Sequence, residues 1–97
     1  MKVSIMGLAW YRPEDYSRLL QLFSDAKNLP ATYEDWLKRA ELGEQKFSKD
    51  GMRVVRVIVD PEEFTRWCES LGCDFDSKAR IRFVNERVAN IARGKNN

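Results

Sequence analysis

Six residues, Pro13-Glu14-Asp15-Tyr16-Ser17-Arg18, return 48 positions later as Pro61-Glu62-Glu63-Phe64-Thr65-Arg66. Three positions are identical, and the other three keep charge, aromaticity or hydroxyl. The spacing is close to half of a 97-residue chain, and each copy follows a short apolar run and opens an amphipathic stretch. Self-similarity of this kind describes one structural unit written twice. The unit it implies is a strand followed by helices.

The clearest strand is Met52 to Val59, β-branched and preceded by the turn signal Asp50-Gly51. Val55, Val57 and Val59 fall on one face; Val54, Arg56 and Ile58 fall on the other. This is the pattern of a sheet packed on one side and partly wet on the other, with Arg56 solvated or ion-paired. A lone strand leaves its backbone groups unpaired. The repeat supplies a partner 48 residues earlier, Met6 to Tyr11, although Gly7 and Ala9 have little preference for strands.

Both copies of the repeated string start helices. Proline suits a first helical turn, and the acids beside it oppose the positive end of the helix dipole. Asp60, with Glu63 three residues on, approximates a capping box, whereas Arg12 at the equivalent place is a poor cap. The first helix is expected to run to about Lys27, with Tyr16, Leu19, Leu20, Phe23 and Ala26 on one face. The third is expected to run to Leu71, with Phe64, Trp67, Cys68 and Leu71 inward, ended by Gly72. Thr32 and Asp35 start the second helix, whose stripe is Tyr33, Trp36, Leu37, Ala40 and Phe47. Gly43 weakens its middle by about 1 kcal/mol relative to alanine, so the last turns are expected to fray or bend.

Asp74-Phe75-Asp76-Ser77 forms the last loop and cap, and the fourth helix runs to about Arg93 with Ile81, Val84, Val88, Ile91 and Ala92 inward. Phe83 points away from that stripe, which makes it a candidate interface residue. The expected fold is α+β and mostly helical: a single domain over 1–97, with two β-α-α halves at about 5–49 and 52–94. The core is expected around Tyr16, Leu20, Phe23, Trp36, Phe64, Trp67, Ile81 and Val84, and the tail 94–97 is expected to be disordered. A two-stranded sheet is marginal alone, so extension across a homodimer axis is a natural expectation.

The chemistry available is limited. The chain has no histidine, which removes the commonest general base and the commonest transition-metal ligand. Glu14/Asp15 and Glu62/Glu63 are explained by helix dipoles rather than by acid–base work. The Cys73-Asp74-Phe75-Asp76 string lacks recognised ligand spacing, so no metal and no cofactor is expected. Cys68 reads as a buried hydrophobe, and two cysteines without a framework fit a reduced, cytoplasmic protein. The longest apolar run, Ile5 to Tyr11, is too short to span a bilayer, so no membrane partner is expected.

Two places remain as candidate sites. If the strands are parallel, Trp10, Tyr11, Arg12 and Asp60 meet at one rim of the sheet, where ligands gather in open sheets, and Arg12 pairs with Asp60. The C-terminal stretch 77–97 holds Lys78, Arg80, Arg82, Arg87, Arg93 and Lys95 against Glu86 alone, while the rest of the chain carries 11 basic and 14 acidic side chains. Such a basic helix serves either nucleic acid or docking on protein. On a helical wheel Lys78, Arg82 and Arg93 lie on one flank of the apolar stripe and Arg80 and Arg87 on the other, which favours docking.

The segments AWYRPEDY, LPATYEDW and VDPEEFTRWC resemble small bacterial proteins of unknown function, over about two-thirds of the chain. The resemblance implies a bacterial origin and transfers no activity or site residue. The expectation for function is a non-catalytic interaction or regulatory module, working with itself or with a protein partner. Nucleic-acid binding through the basic helix comes second, and a small ligand at the rim third.

Overall fold

The computed structural model describes residues 4–94. Strand β1 (Ile5–Trp10) leads through a 3₁₀ turn (Pro13–Asp15) into α1 (Tyr16–Leu22). A second 3₁₀ turn (Ala26–Asn28) precedes α2 (Tyr33–Lys49); β2 (Arg53–Ile58), α3 (Pro61–Leu71) and α4 (Ser77–Ala92) follow. The order is β-α-α-β-α-α, an α+β fold with a two-stranded sheet. The strands are parallel, and Ile5 stands beside Arg53, Gly7 beside Val55 and Trp10 beside Ile58. The register of the ladder is therefore the 48-residue offset of the repeat itself. Equivalent residues of the two halves are neighbours in the sheet.

Parallel strands cannot be joined by a hairpin, and the chain between them supplies the helical crossover that a parallel pair requires. One face of the sheet is closed by α4. A Cβ added at Gly7 would lie 2.7 Å from Val84 Cγ1 and closer still to Val88 Cγ2, so the missing side chain is what lets the helix sit down on β1. Val57 and Val59 are buried on this side. The other face is covered by α2: Trp36 meets Trp10 edge-on with ring centroids 5.2 Å apart. Arg56 lies over the Trp10 ring and binds Glu44 through two hydrogen bonds of 2.6 and 2.8 Å. That face stays partly wet, as Arg56 and Ile58 show.

The caps follow the side-chain chemistry. Thr32, Asp60 and Asp76 each accept a hydrogen bond from the backbone N–H three residues on, starting α2, α3 and α4. Gly72 adopts the left-handed conformation that ends α3. α2 runs unbroken past Gly43 to Lys49, so its last turns do not fray. No helix among the described residues is long and apolar enough to cross a membrane. The tail expected to be disordered lies, past Gly94, outside the described residues.

Several expectations are corrected, among them Leu71 at the end of α3 and Ile91 on α4, both expected inward and in fact exposed at 44% and 45%. The first helix does not reach Lys27: Phe23 turns to extended backbone, and the Ser24 N–H donates to the Phe75 carbonyl at 2.8 Å. A tertiary hydrogen bond and the burial of Phe23 replace the continuation of the helix. The fourth helix is rotated from the expected stripe. Phe83 is 1% exposed and Ile81 61%, so Phe83 is core and Ile81 is surface. Phe83 packs edge-on against Phe64 and Trp67, at 5.4 and 5.3 Å between centroids, burying more apolar area than isoleucine could.

Gly7 and Gly43 give opposite tests of this packing. Gly7→Ala forces a methyl into Val84 and Val88 and is expected to lose about 1–3 kcal/mol in urea unfolding. A Cβ at Gly43 meets nothing within 4 Å, so Gly43→Ala is expected to gain up to about 1 kcal/mol in the same measurement.

Candidate functional site

The parallel strands bring the rim residues to one end of the sheet, but they do not expose them all. Trp10 and Tyr11 are buried. Tyr11 packs against Trp36 at 4.7 Å and Phe23 at 5.7 Å, and burial pushes its hydroxyl up to about 12. Arg12 binds Asp60, its counterpart in the repeat, and also Asp15 at 2.7 Å. The Asp60 carboxyl is held below its ordinary range, chiefly by the Glu63 N–H it caps and then by Arg12. Beside this pair lies a cleft of about 370 Å³ bordered by Arg12, Arg56, Asp60, Glu63, Arg87 and Ile91. Arg87 is bonded to Glu63 and Arg56 to Glu44. Each arginine of the cleft already has a carboxylate, so the arrangement is a compensated ring of ion pairs rather than an anion receptor.

The basic helix is likewise partly absorbed by the fold. Arg80 is 7% exposed and forms a two-pronged hydrogen bond to Asp25, 2.8 Å on each prong, with its guanidinium 4.3 Å above the Phe23 ring. Arg87 lies over Phe83 while bonded to Glu63. Arg82 stands 3.6 Å from Glu86 and Arg93 donates to Asn90. Lys78 is exposed near the start of the helix. The five basic candidates therefore divide between core and surface and do not form one phosphate-tracking face.

A third surface was not singled out by the sequence. Among the described residues, sheet neighbours exist on one side of β1 only. The Arg53 N–H donates to the Ser4 carbonyl and the Val59 N–H to the Trp10 carbonyl, so even-numbered residues of β1 turn their backbone groups toward β2. Backbone direction alternates along a strand, so Ile5, Gly7 and Ala9 turn theirs to the open edge. Along that edge runs a groove of about 520 Å³ between Phe47 of α2 and Ile81, Val84 and Asn85 of α4, with the half-buried Met6 and Leu8 lining it. The signal available in the sequence was the uncharged run IMGLAW beside a helix whose Ser77, Ile81 and Asn85 fall on one neutral flank. It was masked because Ile81 was assigned to the core.

Compared with protein-family models, curated proteins and solved structures, the chain matches none.

Two substitutions separate the buried pair from the rim pair. Asp25→Ala strands a buried guanidinium and is expected to cost about 3 kcal/mol or more in urea unfolding, whereas Arg12→Ala, on a solvent-screened pair, is expected to cost far less. The pH dependence follows from the carboxylates. Arg80 lowers Asp25, Arg56 lowers Glu44, and the capped N–H with Arg12 lowers Asp60. Each is more acidic folded than unfolded, so its contribution is complete above the ordinary carboxylate range and disappears as pH falls from about 4 through the folded value. Asp25→Asn is expected to flatten the acid limb of the stability curve measured by thermal unfolding against pH.

Proposed function

We propose that this protein is a non-catalytic interaction module that takes up an extended segment of its partner along the open edge of β1. The observation that carries the reading is that edge: a six-residue strand with outward backbone groups at Ile5, Gly7 and Ala9 and an apolar groove beside it. Strand addition draws affinity from main-chain hydrogen bonds and specificity from the side chains that line the edge. Unguarded edges invite such pairing.

A catalytic role finds little support in the interior. Cys68 is buried, and burial pushes its thiol up to about 12, far from the thiolate a nucleophile needs. Both cysteines are free thiols, which fits a reducing, cytoplasmic setting. The nucleic-acid reading loses Arg80 to Asp25 and Arg87 to Glu63.

Hydrogen exchange and a binding assay test this together. On partner binding the Ile5, Gly7 and Ala9 amides are expected to become protected, while those of Leu8 and Trp10, which face β2, are slow throughout. Fluorescence anisotropy with a labelled duplex or single strand at low salt is expected to show no binding. Salt-sensitive binding lost on truncation after Ala79, with no change at the three edge amides, would place function on the basic helix instead.

A further inference from the structure

The geometry points to a second copy of this chain as the occupant of the β1 edge, joined about a two-fold axis at Gly7 into a four-stranded sheet; this rests on the strand-addition reading above. The ladder restricts the register. Directly opposed residues in an antiparallel pair either exchange both backbone hydrogen bonds or exchange none. The outward residues Ile5, Gly7 and Ala9 must therefore face the outward residues of the second strand. For two copies of β1, the alignment that uses all three sets Gly7 opposite the partner's Gly7 and Ile5 opposite the partner's Ala9. Met6 then meets the partner's Leu8 in the closer, non-hydrogen-bonded pairing, where side-chain contact is strongest. Every opposed pair within residues 5–9 is apolar or glycine.

Charge selects this occupant. Two identical surfaces meet about a two-fold axis only where no unpaired charge faces its own copy. Ile5–Trp10 carries no charge, and the groove's α4 side presents Ile81 and Asn85 from an otherwise basic helix. Arg80, also on the groove, is already neutralised by Asp25. An acidic or basic peptide finds no uncompensated partner there, whereas an uncharged strand such as β1 matches it. The edge of β2 differs: its strand carries Arg53 and Arg56, and Arg56 is already engaged by Glu44 and the Trp10 ring. The alignment that uses all of its outward residues would set Arg56 directly against its own copy, so assembly through β1 closes at two copies.

The full chain is tested by sedimentation from low to high micromolar concentration, with variants that spare the fold. Ile5→Pro removes an outward N–H at the first residue of the strand, where proline is tolerated, and Ile81→Lys adds a charge at an exposed position. A concentration-dependent dimer is expected, with its dissociation constant raised about tenfold or more by either variant and thermal unfolding of the dilute monomer unchanged. Register is read by oxidation: Met6→Cys mixed with Leu8→Cys is expected to give a cross-linked dimer, and neither variant alone. A chain that stays monomeric, with fast-exchanging Ile5, Gly7 and Ala9 amides, overturns the second copy and leaves the edge open for a different strand. A dimer indifferent to Ile5→Pro and Ile81→Lys is joined elsewhere and overturns this inference, whereas the strand-addition reading falls only if the Ile5, Gly7 and Ala9 amides stay fast-exchanging with a partner bound.

Discussion

The parallel ladder between β1 and β2, in a register equal to the repeat, is the constraint from which the other features follow. Because the strands run the same way, both must be followed by chain that leaves the same end of the sheet. This places the Arg12 turn beside the Asp60 turn and makes the two residues an ion pair. It also explains why the repeated string is only partly equivalent in structure. Asp60 caps its helix directly, and α3 forms a regular helix from Pro61. Arg12 cannot cap, so the first copy enters through a 3₁₀ turn, and its side chain bridges Asp15 and Asp60 instead.

A two-stranded ladder is too small to organise a core, and the aromatic side chains take over that task. Tyr11, Phe23, Phe64 and Phe83 form a chain of ring contacts that crosses from the first half to the second. Arg80 belongs to this interior: its guanidinium covers Phe23 while Asp25 satisfies its charge. Buried arginine of this kind is held by bidentate geometry and ring stacking together. Removing one partner leaves the other exposed to a low-dielectric environment, which is why the pair matters more for stability than the exposed ion pairs at the rim.

The two edges of the sheet have different chemistry, and the proposed function rests on that asymmetry. One edge is neutral, flanked by an apolar groove; the other is bordered by compensated arginine–carboxylate pairs. The proposed interaction role calls for one surface that accepts a partner and others that refuse one. The distribution of charge supplies both within a small domain.

The α+β class, the β-α-α repeat, three of the helix caps, the inward stripe of α2 and the two faces of β2 were legible in the sequence, because they depend on spacing and on short-range chemistry. Asp60, Thr32 and Asp76 cap helices through bonds three residues away, and alternation along a strand is local geometry. The end of α1 and the rotation of α4 were not legible. α1 stops where Ser24 finds Phe75, a partner far along the chain. α4 turns inward a face containing Arg80 and Arg87, which a hydrophobic pattern assigns to solvent, because Asp25, Glu63 and the Phe23 and Phe83 rings compensate them. That rotation buried Phe83, exposed Ile81 and created the groove beside β1. Sequence by itself determined the elements and their order. Only the tertiary structure decided which surface remained open, because the burial of a charged side chain depends on partners that folding brings together from distant parts of the chain.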